Sequence, residues 1–299
     1  MGPRTQFPVN TKVILLSCLF LFLLLLIIRT SFPSNSQQVS VPSLVSNASS
    51  NGPSESSSDG QNLACPTLTA EPTCTKTPPS LANALVHYVT TNITPQQTFP
   101  EISVSLRVLQ RKSPCNFLVF GLGRDSLMWA ALNHGGRTVF LEEDRAWIEQ
   151  ITEKHPHLEA FHVAYDTRVH QADKLLKAAD REDCRTVTDP RFSKCELAHK
   201  GFPNEVYDVE WDLIMVDAPT GYHDEAPGRM TAIYTAGLMA RNRETGETDV
   251  FVHDVDRVVE DKFSKGLLCE GYLTEQEGRI RHFTVPSHRA RLGRPFCPP

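Results

Sequence analysis

The acids and imidazoles of this chain that could do chemistry fall at the ends of apolar runs. Leu213-Ile214-Met215-Val216 delivers Asp217, with Gly221-Tyr222-His223 close behind, and Val250-Phe251-Val252 delivers His253 and Asp254. A carboxylate beside an imidazole makes a proton-accepting pair. It suits an alcohol acceptor, a poor nucleophile at neutral pH that must shed its proton as a new bond forms. Asp217 with His253 or His223 is the candidate catalytic base system. The same residue types ligate metals, so Asp217, His253 and Asp254 are the alternative donor set for a divalent ion that would stabilise an alkoxide. Each also has a plain structural role open to it, Asp217 capping the following turn and His253 hydrogen-bonded in a core.

A second pattern offers a group to transfer. Asn116 to Phe120 is apolar and runs into Gly121-Leu122-Gly123, and the run from Thr138 to Leu141 ends in Glu142, Glu143 and Asp144. Glycines closing a first parallel strand let backbone N–H groups approach a ligand, and an acid closing the second accepts hydrogen bonds from ribose hydroxyls. Gly121, Leu122 and Gly123 with Glu142 or Glu143 therefore form a candidate adenosine-cofactor site. The dinucleotide fingerprint wants a third glycine three residues after Gly123, where Ser126 stands. S-adenosylmethionine carries no phosphate and suits the pattern better than NAD, which weighs against an NAD-dependent nucleotide-sugar enzyme.

Such residues need a scaffold that gathers strand ends on one rim. Strands are predicted at Asn116 to Phe120, Thr138 to Glu142, Ala160 to Tyr165, Trp211 to Asp217, Asp249 to His253, Leu268 to Thr274 and Arg279 to Val285. Helical periodicity is predicted for Ser80 to Val89, Phe99 to Gln110, Asp125 to Leu132, Arg145 to His155, Ala172 to Ala179, Arg229 to Arg241 and Arg257 to Lys265. That alternation is the signature of an α/β, doubly wound, mostly parallel sheet. The last two strands are separated only by Glu275-Gln276-Glu277-Gly278, too few residues for a crossover, so the sheet should end in an antiparallel hairpin. Pro219, Gly221, Pro227 and Gly228 mark a loop after Asp217 placed to cover a substrate.

Upstream of this domain, Arg4 and Lys12 precede an apolar run from Val13 to Ile28 that Arg29 closes without a small-residue cleavage site, which reads as a signal anchor with a short tail, residues 1–12, before it. Residues 29–77 are rich in Ser, Pro, Asn and Gln and read as a lumenal stem, leaving 78–299 as the folded domain. Asn47-Ala48-Ser49 and Asn92-Ile93-Thr94 are glycosylation acceptors by motif. Of eight cysteines, seven follow the apolar run. In an oxidising lumen Cys184 with Cys195 and Cys269 with Cys297 are the expected pairs, although spacing does not fix connectivity. Net charge is −5, yet Arg229, Arg279, Arg281, His282, His288, Arg289, Arg291 and Arg294 crowd the late chain. That cluster favours an anionic acceptor touched by Tyr222, Arg229, Arg281 and His282, and nothing in it has the aromatic interleaving of a nucleic-acid surface.

Gly121 to Gly123 with its preceding strand, Leu132 to Thr138, Phe140 to Asp144 and Val216 to Tyr222 together resemble the plant glucuronoxylan 4-O-methyltransferase family, over roughly Lys76 to Pro299. The resemblance implies a class I S-adenosylmethionine methyltransferase-like Rossmann fold and a type II Golgi membrane enzyme that methylates O4 of glucuronic acid side chains of glucuronoxylan during cell wall synthesis. It also implies that Asp166, ending the third strand, meets the adenine edge, and that other xylan-synthesis enzymes are partners. Some relatives of that family organise xylan synthesis without a secure activity, which keeps a non-catalytic scaffold as an alternative.

Overall fold

The computed structural model describes residues 96–298 together with Val86 and Thr90. The anchor run, the stem, both glycosylation motifs, Cys65, Cys74 and most of the predicted Ser80 to Val89 helix lie outside the described residues. Among the described residues no helix is long and apolar enough to cross a membrane.

Helix α1 (Phe99–Lys112) opens the described fold and is followed by β1 (Asn116–Phe120), α2 (Ser126–Leu132), β2 (Arg137–Glu142), α3 (Arg145–Lys154) and β3 (Glu159–His162). Then come α4 (Ala172–Ala178), two short helices α5 (Glu182–Arg185) and α6 (Asn204–Tyr207), β4 (Leu213–Val216), α7 (Met230–Asn242), β5 (Glu247–Val252), α8 (Val258–Phe263), β6 (Leu273–Glu277) and β7 (Ile280–Pro286). The seven strands form one sheet in the order β3-β2-β1-β4-β5-β7-β6. Strands β1 to β5 are mutually parallel where they pair, and β7 runs antiparallel to both β5 and β6. The doubly wound sheet closed by a hairpin is thus the architecture expected.

Strand β1 is flanked by parallel neighbours and covered on both faces, which is why its sequence is almost continuously apolar. Side chains alternate between two cores. Phe117, Val119, Phe140, Met215 and Phe251 pack under α1 and α2. Leu118, Phe120, Leu141, Ile214 and Val216 pack with α7 and α8 on the opposite face. Helix α1 starts on a capping box, Glu101 Oε2 accepting from Thr98 N at 2.7 Å; Glu101 Oε1 also accepts Arg279 N at 2.6 Å, fastening α1 to the hairpin turn.

The strand predicted at Ala160 to Tyr165 is shorter, β3 ending at His162, and the late chain differs further. Leu268 to Tyr272 are not strand: α8 runs on through a π-turn, Ser264–Cys269, and a 3₁₀ turn, Glu270–Tyr272, because Phe263, Leu267 and Leu268 are buried in the α7 core on helical spacing. Glu275, Gln276 and Glu277 belong to β6 rather than to the connection, and the turn is Gly278-Arg279, with Gly278 at φ +51°. Strand β6 is a sheet edge, so its polar residues face solvent and mimic a loop.

Both expected disulfides form, Cys184–Cys195 and Cys269–Cys297. Cys115 is a buried free thiol among the described residues, and burial pushes its pKa up to about 12, so it is unreactive.

Gly136 marks a tight approach to backbone beneath the sheet. A Cβ there would lie 2.5 Å from Cys115 N and from Asn133 Oδ1, and Asn133 is itself fixed by accepting from Cys115 N at 3.0 Å and donating to its carbonyl at 2.9 Å. Gly136→Ala is expected to cost about 3 kcal/mol and to lower Tm by about 6–12 °C. Gly266→Ala, where a Cβ meets nothing within 4 Å, is the control, and equal Tm values for the two variants would contradict this packing.

Candidate functional site

The strand order reverses between β1 and β4, whose ends pair Phe120 with Val216. Ligands of open α/β sheets bind in the crevice at such a switch point, beyond the carboxyl ends of the strands. Here those ends deliver Gly121 and Asp217. Gly121 sits at φ +116°, and a Cβ on it would come 3.3 Å from Ala218 Cβ, so glycine is required both by conformation and by the closeness of the two turns.

Asp217 and His253 form the centre of the site. Asp217 Oδ1 lies 2.9 Å from His253 Nδ1, and Oδ2 accepts from Gln97 Nε2 at 3.1 Å. Burial alone would raise the Asp217 pKa, but the hydrogen bond and charge of His253, the charge of Arg229 and the bond from Gln97 outweigh it and hold the carboxyl below its usual value. An ionised carboxylate only accepts, so the Nδ1 proton belongs to histidine and Nε2 is left as the lone-pair nitrogen. His253 is 1% exposed, and its Nε2 has no hydrogen-bond partner. A buried imidazole nitrogen without a partner, on a ring oriented by a carboxylate, has an open acceptor position that a hydroxyl donor would fill.

Asp254 follows in the left-handed region at φ +61°, a conformation that costs a non-glycine residue about 1–3 kcal/mol and is retained where the surroundings impose it. Its carboxylate gathers three guanidinium groups: Arg229 at 2.9 Å, Arg257 at 2.8 Å and Arg279 at 2.8 Å. Arg229 is 3% exposed. It also lies 3.4 Å from Asp217 Oδ1 and donates to Pro219 O at 2.9 Å and His253 O at 3.0 Å.

At and beyond the end of β2 the three acids have separate roles. Glu142 Oε2 accepts Leu122 N at 2.9 Å, while Oε1 accepts Glu143 N and Asp144 N at 2.8 and 3.0 Å. Burial raises its pKa, against the three N–H groups. Glu143 Oε1 accepts both Thr220 N and its hydroxyl at 3.0 Å, latching the loop after β4. Asp144 caps α3 through Ala146 N and Trp147 N. Trp147 Nε1 donates to Leu122 O, so the turn Gly121-Leu122-Gly123 is held from both sides. Each carboxylate oxygen has two acceptor positions; Glu142 Oε2 uses one with Leu122 N, leaving one open. Tyr165 OH and Ser126 Oγ are buried without hydrogen-bond partners.

Several sequence-predicted contacts lie elsewhere. His223 is exposed with its ring edge-on to Tyr222, and no hydrogen bond joins it to Asp217 or His253. Asp166 is exposed and lies past the end of β3, which stops at His162. Arg229 is buried among acids rather than open to an acceptor. Arg281 is buried too, bonded to Gln276 Oε1, Ser264 Oγ and Asp261 Oδ1, so it ties β7 to α8. His282 stacks on Phe251 and bonds Asp249 Oδ1 at 2.7 Å, inside the sheet. The late basic cluster is therefore not one patch; Arg289 pairs with Glu244 and His288 is buried. Tyr222, 70% exposed, stays on the loop over the site.

Three site residues escaped the sequence reading. Gln97 reaches Asp217 from 120 positions away and carries no local signal. Arg257 begins α8 beside Asp254, and helix periodicity hid it. Asp125, two residues past Gly123, accepts from Trp129 Nε1 at 2.9 Å. Burial, and then the charge of Asp217, raise its pKa to about 6.

Comparison with known proteins gives a consistent set. The IRX15/IRX15L/GXM family matches residues 100–283. "Glucuronoxylan 4-O-methyltransferase 3" of Arabidopsis thaliana is 61% identical over 99% of this chain and 97% of that protein. "Glucuronoxylan 4-O-methyltransferase 2" of the same plant is 58% identical over 100% and 98%. "Arabinogalactan O-methyltransferase 2", also from that plant, is 51% identical over 75% of this chain and 79% of its own length.

The Asp125 carboxyl provides a pH test of this geometry. Its folded pKa of about 6 lies above the unfolded value of about 3.9. The folded state therefore binds the proton more tightly across that window, and the ionised form burdens stability as pH rises through about 6. Asp125→Asn is expected to raise Tm by a few degrees at pH 7.5, with the gain shrinking as pH falls through 6 and gone near 4. A Tm difference independent of pH would contradict the raised Asp125 pKa.

Proposed function

The chain belongs to the IRX15/IRX15L/GXM family, and on that footing we propose that it is an S-adenosylmethionine-dependent methyltransferase acting on O4 of glucuronic acid side chains of glucuronoxylan. One observation carries the mechanism: the Asp217–His253 pair at the switch point, with a buried, unpartnered His253 Nε2. Full-length relatives that bear this activity in their names support the acceptor.

S-adenosylmethionine supplies an electrophilic methyl group on a sulfonium that departs without an acid. The turn Gly121-Leu122-Gly123 and Glu142 would hold its adenosine part, the remaining acceptor position of Glu142 Oε2 taking a ribose hydroxyl. His253 Nε2 takes the proton of the acceptor hydroxyl, and Asp217 stabilises the imidazolium that results. Gln97 and Arg229 keep Asp217 ionised and in place.

A divalent ion is the competing use of the same residues. Donor atoms of Asp217, His253 and Asp254 all lie within 4.8 Å of one another, the right types at a suitable separation. Three guanidinium groups already occupy Asp254, however, and Arg229 also touches Asp217. A cation there would compete with arginines for every carboxylate oxygen of Asp217 and Asp254 but Asp217 Oδ2, which faces Gln97. The residues fit base chemistry better than metal chemistry, and no step is assigned to a metal. Activity abolished by a chelator and restored by a divalent ion would reverse that order.

The apolar run 13–28 and the stem support placing the protein as a single-pass type II glycoprotein of the Golgi membrane with this domain lumenal, where xylan-synthesis enzymes would be neighbours. A non-catalytic scaffold would have no use for an unpartnered base, so the dyad speaks against it.

The protein incubated with labelled S-adenosylmethionine should label glucuronoxylan at the 4-O position of glucuronate, with arabinogalactan as the competing acceptor suggested by the 51% identical relative. His253→Gln and Asp217→Asn are each expected to lower kcat about 10²- to 10⁴-fold while S-adenosylhomocysteine affinity, measured calorimetrically, changes less than about threefold. Absence of transfer to any uronate-bearing glycan by the unsubstituted protein would sink the methyltransferase reading, and equal loss of affinity and rate in both variants would remove the base assignment.

A further inference from the structure

The expected acceptor arginines, Arg229 and Arg281, are buried and spent on internal acids, which leaves open what recognises an anionic sugar. Two other arginines stand at the site with their heads partly in solvent. Arg257 is 31% exposed and Arg279 38%, whereas Asp254, to which both are bonded, is 7% exposed. Acid lies beneath and guanidinium above, so the face toward solvent is cationic although the buried charges balance.

Their bonding leaves capacity for a ligand. Arg257 Nη2 pairs with Asp254 Oδ2 at 2.8 Å, and its Nη1 donates to Thr220 O at 3.0 Å and lies 3.9 Å from Glu260 Oε1. Arg279 donates from Nη1 to Asp254 Oδ1 and from Nη2 to Gln96 O. A guanidinium has five N–H donors in a planar fork; Arg257 spends one in a hydrogen bond and Arg279 two, with Arg279 Nε also 3.6 Å from Glu101 Oε1, and the fixed carboxylate behind them removes much of the entropy that a free arginine would lose on binding. Arg279 shares Asp254 Oδ1 with His253, whose Nδ1 is 3.5 Å from that oxygen. The pair therefore borders the proposed base itself.

The chemistry of the acceptor gives this placement a meaning. In a hexuronic acid the hydroxyl at C4 and the carboxylate borne on C5 are on adjacent carbons. An enzyme that brings O4 to His253 must hold a carboxylate within a few ångströms of that imidazole, and uncompensated it would meet Asp217, Asp254 and Glu260. We propose that Arg257 and Arg279 are the carboxylate clamp of the acceptor, setting the preference for a sugar acid over the corresponding neutral sugar. The inference rests on the methyltransferase reading. Tyr222, on the loop that Arg257 fastens through Thr220, is available as an apolar platform for the sugar ring.

The test uses the purified full chain, labelled S-adenosylmethionine, and two acceptors: a glucuronate-bearing xylo-oligosaccharide and the same compound after carboxyl reduction, which keeps O4 and loses only the charge. The unsubstituted protein should favour the acid form at least tenfold in kcat/KM. Arg257→Gln and Arg279→Gln should each lower that preference ratio about 10- to 100-fold, chiefly through KM for the acid form, as expected for losing charged hydrogen bonds, and Arg257→Lys and Arg279→Lys should restore part of it. An unchanged ratio in both glutamine variants, with kcat falling equally on the two acceptors, would show that the arginines merely support Asp254 and would overturn the clamp. Equal use of both acceptors by the unsubstituted protein would overturn it as well, leaving methyl transfer intact. No transfer to either acceptor would remove the function and the clamp together.

Discussion

The site is organised around one buried cation. Arg229 sits at the start of α7, almost inaccessible to solvent, with Asp217, Asp254 and Glu260 within 4 Å. A guanidinium in such surroundings is tolerable only if its charge and donors are met, and removing any partner would leave charges buried and unbalanced. Its bonds to Pro219 O and His253 O join the ends of β4 and β5 and the loop above them. The Asp217–His253 pair is therefore positioned through the cation as much as through the sheet.

That arrangement explains the strain at Asp254. A left-handed aspartate directly after β5 turns its carboxylate back toward Arg229 and outward toward Arg257 and Arg279 at once, which an extended continuation of the strand would not. The cost is met by three charge-assisted contacts. Glu260, completely buried beneath Gly221 with both oxygens lacking geometric hydrogen bonds, has its pKa raised by burial in spite of Arg229 and Arg257.

The sheet was legible because parallel strands buried on both faces must be apolar throughout, and because a short polar connection forbids a crossover. Asp217 and His253 were legible for the same reason: a polar residue ending such a strand falls on the rim whatever the rest of the fold does. Residues on β7 were not. Arg281 and His282 look alike in sequence, basic and adjacent, but alternate faces send one to α8 and the other to Phe251. Gln97 reaches the site across the whole nucleotide half of the domain, and no local pattern marks such a contact. The run Glu142-Glu143-Asp144 announced a ribose acid, yet what distinguishes the three is their hydrogen bonds to the glycine turn, to Thr220 and to the α3 N-terminus.

Those bonds couple the two halves of the site. Glu142 and Trp147 hold Leu122 from opposite sides, Glu143 holds Thr220, and Thr220 O in turn accepts Arg257. A ligand that engages Glu142 therefore acts on a carboxylate whose neighbour fixes the loop over the acceptor face. Because Arg257 is bonded to that loop and to Asp254, a shift of Thr220 would change how the guanidinium is presented beside His253. Hydrogen bonds and one ion pair thus form a continuous path from Glu142, at the end of β2, through Glu143, Thr220 and Arg257 to Asp254, just after β5.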